Sequence, residues 1–214
     1  MIPFSPPRID QRVIDEVTSA LTSGWITTGP RTKLFEKQLT EYCGNKCTVA
    51  VASWTAGMEV LLRWWGIGPG DEVIIPAPYW VSYSEIIKMS GGIPVEVPTS
   101  IENDFKITPQ QLEAAITPKT KMIWYSSPCN PSGSVYSREE FTAIAEVLKK
   151  YPNIYVVADE IYEHINFSGT FCSIASIPEM FERTITVNGV AKAFAMTGWR
   201  IGYIGAPEFI AKAC

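Results

Sequence analysis

The stretch Lys121–Glu160, KMIWYSSPCNPSGSVYSREEFTAIAEVLKKYPNIYVVADE, decides the fold. Lys121 to Tyr125 is a short strand that breaks into SSPCNPSG, a turn-rich loop. Ser137 caps a helix that runs to Lys150, and Glu140 three residues on completes a capping box. Ile154 to Ala158 is the next strand, and Asp159 and Glu160 follow it directly. Strand, helix, strand in succession is a βαβ unit with parallel strands.

The pattern continues in both directions. Upstream, Thr48–Ala52, Asp71–Ile75 and Ile93–Val97 are strands. Helices start at Ser53–Gly57, near Tyr79 and at Thr108 or Pro109. Ile9–Leu21 has helical spacing, with Ile9, Val13, Val17 and Leu21 on one face, and Thr32–Tyr42 is a second helix. Downstream, Thr184–Tyr203 reads TITVNGVAKAFAMTGWRIGY: strand Thr184–Val187, a small-residue turn, Lys192, a helical-looking AFAM run, Arg200 and strand Ile201–Ile204. The fold class is α/β, a three-layer arrangement with a mainly parallel sheet and helices on both faces. Residues 1–30 form an amino-terminal arm and helix, and 31–214 one large domain.

In open α/β sheets ligands sit beyond the carboxyl ends of the strands. Ser53/Thr55, Asn130, Asp159 and Lys192 all fall at such ends. A surface lysine is the usual case, but alanines flank Lys192 and an apolar run follows, and a buried or half-buried amine there could lose its proton and attack a carbonyl. The Ser53–Trp54–Thr55–Ala56 junction suits a phosphate at a helix N-terminus, but taken alone it better suits simple N-capping.

Other chemistries lack parts. His164 is the one histidine, and no GxSxG or Walker loop accompanies it. GIGPG at 66–70 leads into no dinucleotide fingerprint. A net charge of −4 gives no footprint for nucleic acid, and no apolar run reaches membrane-spanning length. MIPFSPPRID lacks a signal-peptide pattern, and five scattered cysteines suggest reduced thiols; the expectation is a cytoplasmic protein. Pyridoxal 5'-phosphate would use every part: a lysine for its aldehyde, a carboxylate opposite its ring nitrogen, and a helix N-terminus and cation for its phosphate. Asn130 and Tyr162 can donate to its 3′ oxygen, and Tyr79 or Trp80 can plate its ring.

SSPCNPSG, VVADEIYEHI and NGVAKAFAMTGWRIGY resemble the class I aminotransferases, close to bacterial aspartate aminotransferases, from about Asp71 to Cys214. The resemblance implies the large domain of a fold type I pyridoxal-phosphate transferase. It implies that Lys192 holds the cofactor aldehyde and moves the substrate proton, that Asp159 pairs with the ring nitrogen, and that Asn130 and Tyr162 hold the 3′ oxygen. Arg200 binds the phosphate and Trp80 stacks on the ring. Substrates are then a small amino acid and a 2-oxo acid, and the assembly a homodimer.

The amino-terminal part differs. IPFSPPRID, LTSGWITTGPRTKLFEKQLTEYCG, AVASWTAGMEVLL and GPGDEVIIPA resemble the DegT-type sugar-nucleotide aminotransferases, in which the turn matching Ser53–Trp54–Thr55–Ala56 binds the cofactor phosphate. The chain reads as a mosaic with a seam near GDEVIIPAPYW. Gly189 stands three residues before Lys192, where many relatives have a phosphate-binding serine, so Arg200 and the Thr55 turn carry more of that task. The small carboxy-terminal domain of the class I enzymes is expected to be absent after Cys214. A sugar-nucleotide aminotransferase and a non-catalytic cofactor-binding fragment or chimera remain the alternative readings.

Overall fold

β-branched and aliphatic runs build the strands, and a computed structural model describes residues 8–214 of the chain. The opening IPFSPP, which carries part of the amino-terminal resemblance, lies outside the described residues. Seven strands form one sheet: β1 Cys47–Val51, β2 Glu72–Ala77, β3 Ile93–Pro98, β4 Thr120–Ser126, β5 Tyr155–Asp159, β6 Thr184–Gly189 and β7 Gly202–Ala206. Their order is β1-β7-β6-β5-β4-β2-β3. The central pairs β3–β2–β4–β5–β6 are parallel. Only β7 runs against its neighbours, β1 and β6.

Alternate residues of each central strand point to opposite faces, the period-2 geometry of a strand buried on both sides. Val73, Ile75, Met122, Trp124 and Val157 enter one core with Trp54, Met58, Leu61 and Leu62 of helix α3 (Trp54–Trp64). Helices α4 (Ser82–Met89) and α7 (Glu208–Ala211) join that side through Tyr83, Ile86, Ile87 and Ile210. Ile74, Ile123, Tyr125, Val156 and Ala158 enter the other core with Leu112 of α5 (Pro109–Ala115) and Phe141, Ile144 and Leu148 of α6 (Arg138–Lys149). Three layers result, as the sequence pattern requires.

Local chemistry sets the helix starts. Ser137 Oγ accepts from Glu140 N–H at 3.2 Å, and the Glu140 carboxylate accepts from Ser137 N–H at 2.7 Å. Thr108 and Gln111 form a second capping box before α5. Asp10 caps α1 (Gln11–Thr22), and Pro30 opens α2 (Pro30–Cys43).

Two expectations are corrected. AFAM is not a helix: residues 191–195 form turns, and Ala195 at φ 53° ends any helical run. The apolar face of α1 is in place, but the helix buries no residue, and Leu21 is 64% exposed. Arg31 ties it to α2 through Glu16 at 3.0 Å and Ser19 at 2.8 Å. All five cysteines are free, as expected.

Candidate active site

The carboxyl ends of β4, β5 and β6 and the N-terminus of α3 surround a cavity of about 300 Å³. Ser53, Trp54, Thr55, Trp80, Asn130, Asp159, Tyr162, Lys192 and Arg200 line it. Of the candidates named from the sequence, two stand back from the wall: Ala56, whose N–H is donated to Ser53 Oγ at 3.1 Å, and Tyr79, whose hydroxyl donates to Glu96 at 2.7 Å.

That bond answers the question left open at the junction. Ser53 is the N-cap of α3. Its hydroxyl satisfies Ala56, while among the described residues the N–H groups of Trp54 and Thr55 make no hydrogen bond. Free first-turn donors, the positive helix end, the Thr55 hydroxyl and the Arg200 guanidinium suit an oxyanion. Gly202 makes the junction possible. A Cβ there would stand 2.6 Å from Trp54 N and 2.8 Å from the Ser53 carbonyl carbon.

Asp159 ends β5 and is 4% exposed. Burial pushes its carboxyl up to about 6, against the pull of hydrogen bonds from Tyr83 O–H and Ile161 N–H. A buried carboxyl poised so near neutrality holds its charge best opposite a cationic N–H. The loop that carries Asn130 is pinned to the same strand end. Ser127 N–H donates to Asp159 O at 3.1 Å, Ser127 Oγ accepts from Tyr136 N–H at 3.1 Å, and Cys129 N–H donates to Ser134 O at 2.9 Å. Tyr162 is half-buried beside the cavity, and burial, then the nearby Asp159 charge, raises its phenol.

Lys192 departs from expectation. Its amine lies 6.0 Å from the Tyr162 ring centroid, in reach of the cavity, but the residue is exposed rather than half-buried. Phe194 of the same turn packs against His164 with ring centroids 5.9 Å apart, but Lys192 itself is left uncovered, so water reaches the amine. Arg200 is exposed too, at φ 56°, and its guanidinium donates to Thr197 O at 3.1 Å.

The family model for aminotransferase class I and II matches residues 7–214. The chain belongs to the class I and II aminotransferases. The aspartate/prephenate aminotransferase of Nitrosomonas europaea is 57% identical over 149 residues, 69% of this chain and 38% of that protein. One from Cereibacter sphaeroides is 50% identical over 149 residues, 69% of this chain and 37% of that protein. The aspartate aminotransferase of Thermus thermophilus with maleate superposes with a TM-score of 0.85 and 37% identity, over 98% of this chain and 57% of that one. That of Rhizobium meliloti gives a TM-score of 0.83 and 34% identity, over 99% of this chain and 56% of that one. The chain thus spans about two fifths of the length of the curated relatives it matches.

In this aminotransferase chain, sequence reasoning missed Tyr83 and Thr197, both of which line the cavity. Tyr83 donates to Asp159 Oδ2 at 2.5 Å across 76 positions of sequence. Its place three residues after Trp80, one helical turn away, was the available signal. Beyond Asp159, Glu160 is 4% exposed beside a second cavity of about 450 Å³, and burial pushes its carboxyl up to about 8.

Proposed function

We propose that this chain carries the cofactor site of a pyridoxal-phosphate aminotransferase that moves an amino group between an aspartate-like amino acid and a 2-oxo acid. The observation that carries it is one cavity holding a primary amine, a buried carboxylate and a free helix N-terminus together. These donors fit the cofactor's aldehyde, ring nitrogen and phosphate, and the Trp54 indole N–H, buried without a partner, leaves one more donor in the wall. When bound, the cofactor supplies an electron sink for the substrate Cα.

The side chains then divide the work. Lys192 would hold the cofactor aldehyde and, once substrate had displaced it, would take the proton from the substrate Cα and return it to the cofactor's aldehyde carbon. Its exposure here means that substrate and neighbouring structure must exclude water for that step. Asp159 holds a positive charge opposite its carboxylate. Asn130 and Tyr162 would donate to the 3′ oxygen, Trp80 would cover the ring, and Arg200 with the Ser53–Thr55 turn would grip the phosphate, Ala56 holding that turn through its bond to Ser53 Oγ. A homodimer, small amino-acid and 2-oxo-acid substrates, a cytoplasmic site of action and a domain boundary near residue 30 complete the proposal.

The amino-terminal quarter supports a second reading. Its resemblance to DegT-type enzymes is the ground for a mosaic joined near 70–80, although the class I and II family model runs across that point, over residues 7–214. Sugar-nucleotide transamination, or cofactor binding without turnover, are the corresponding alternatives. Assays separate the three. Aspartate with 2-oxoglutarate should turn over and fall to background in Lys192→Ala. Turnover of a keto-sugar nucleotide with glutamate favours the second reading, and full activity of Lys192→Ala sinks the first. A peptide map lacking any peptide across Ile74–Tyr83 would contradict a true fusion.

A further inference from the structure

Asp159 is held by two donors from two directions. Oδ1 accepts from Ile161 N–H at 3.1 Å, within its own strand end. Oδ2 accepts from Tyr83 O–H at 2.5 Å, from helix α4 on a different part of the chain. With one donor on each oxygen, the carboxylate plane is fixed.

Tyr83 is itself immobile. It is 1% exposed. Its ring stacks on Trp124 at 4.4 Å and 23°, on Trp54 at 5.7 Å and 24°, and meets Trp80 edge-on at 6.0 Å and 90°. Trp54 opens α3 and Trp80 lines the cavity, so the ring joins the anion-binding turn to the carboxylate. Burial, then the Asp159 charge, raises the phenol well above its ordinary value. The hydroxyl therefore remains a donor across the working range of pH, and a donor to a carboxylate oxygen favours the charged form. The other titratable neighbours coupled to this pair are Glu160, Tyr162 and Cys129.

We propose that Tyr83 is a positioning residue whose hydroxyl fixes the orientation of the Asp159 carboxylate and keeps it charged for a cationic ring nitrogen. The proposal rests on the reading of Asp159 as the ring-nitrogen partner. A ring at position 83 is needed for packing alone, and phenylalanine would supply it; only the hydroxyl acts on Asp159.

The test uses the cofactor-free chain with carboxyl-¹³C aspartate, titrated by NMR, with Asp159→Asn to assign the signal. In Tyr83→Phe the Asp159 carboxyl should titrate higher by about one to two pH units, the loss of one hydrogen bond to a charged group. An unchanged titration overturns the proposal. Should Tyr83→Phe fail to fold, the Tyr83 Cζ signal of the unaltered chain serves instead. It should shift in step with Asp159 titration, and independence of the two overturns the proposal. Failure of the wider cofactor reading shows separately, as no borohydride-trapped label on Lys192 in either protein.

Discussion

The two sides of the cavity are built differently. On the β4–β5 side, Asp159, Ser126, Ser127 and Tyr83 are buried, and their donors and acceptors are matched one to one. On the β6–β7 side, Lys192, Thr197, Trp199 and Arg200 are exposed on a run of turns. The sheet fixes the carboxylate side before any ligand arrives. The amine and guanidinium side is left to be ordered by what binds or packs there. Large-to-small substitutions in the packing of the first side should therefore cost stability, and loss of Lys192 on the second should cost activity with little change in stability.

The largest effects test the rigid side. Trp124→Ala removes a fully buried ring under Tyr83 and should cost about 3–5 kcal/mol in denaturant unfolding. A loss below 1 kcal/mol would break the distinction between the sides. Next is the carboxyl buried behind Asp159. Glu160 titrates at about 8 in the fold and near 4.3 in an unfolded chain. The fold therefore keeps its proton across that window, and stability falls as pH rises from about 4 to about 8. Asp159, at about 6, adds to the same fall between about 4 and 6. Glu160→Gln should flatten the decline by about 4–5 kcal/mol at pH 8, measured by urea unfolding at several pH values.

A smaller effect sharpens the comparison from outside the site. Ser137→Ala breaks the capping box of α6 and should cost about 1 kcal/mol. Smallest is the exposed side itself. Lys192→Ala and Arg200→Ala should change unfolding free energy by no more than about 0.5 kcal/mol, since neither is buried or in an ion pair among the described residues. A loss of several kcal/mol from either would show the turn to be structurally essential.

The sequence carries the rigid side well and the open side poorly. Strand runs such as Val156–Ala158 and caps such as Ser137–Glu140 are local signals, and all seven strands fall where the residue pattern puts them. Strand ends also place Asn130, Asp159 and the Ser53 turn around one cavity. Direction is less legible: β7 has the same apolar spacing as its neighbours yet runs antiparallel, because a short turn-rich link returns it beside β6. The Tyr83–Asp159 bond joins elements far apart in sequence, so no local pattern announces it. The exposure of Lys192 depends on what packs over 191–200, which flanking alanines do not encode.

The central claim is that Lys192 and Asp159 belong to one cofactor site. The direct measurement is the visible absorption spectrum of the purified chain with pyridoxal phosphate, before and after borohydride reduction, with the modified peptide mapped. The expected result is a visible band abolished by reduction, with label on Lys192 alone. No band, or label scattered over surface amines such as Lys37 and Lys119, would contradict it.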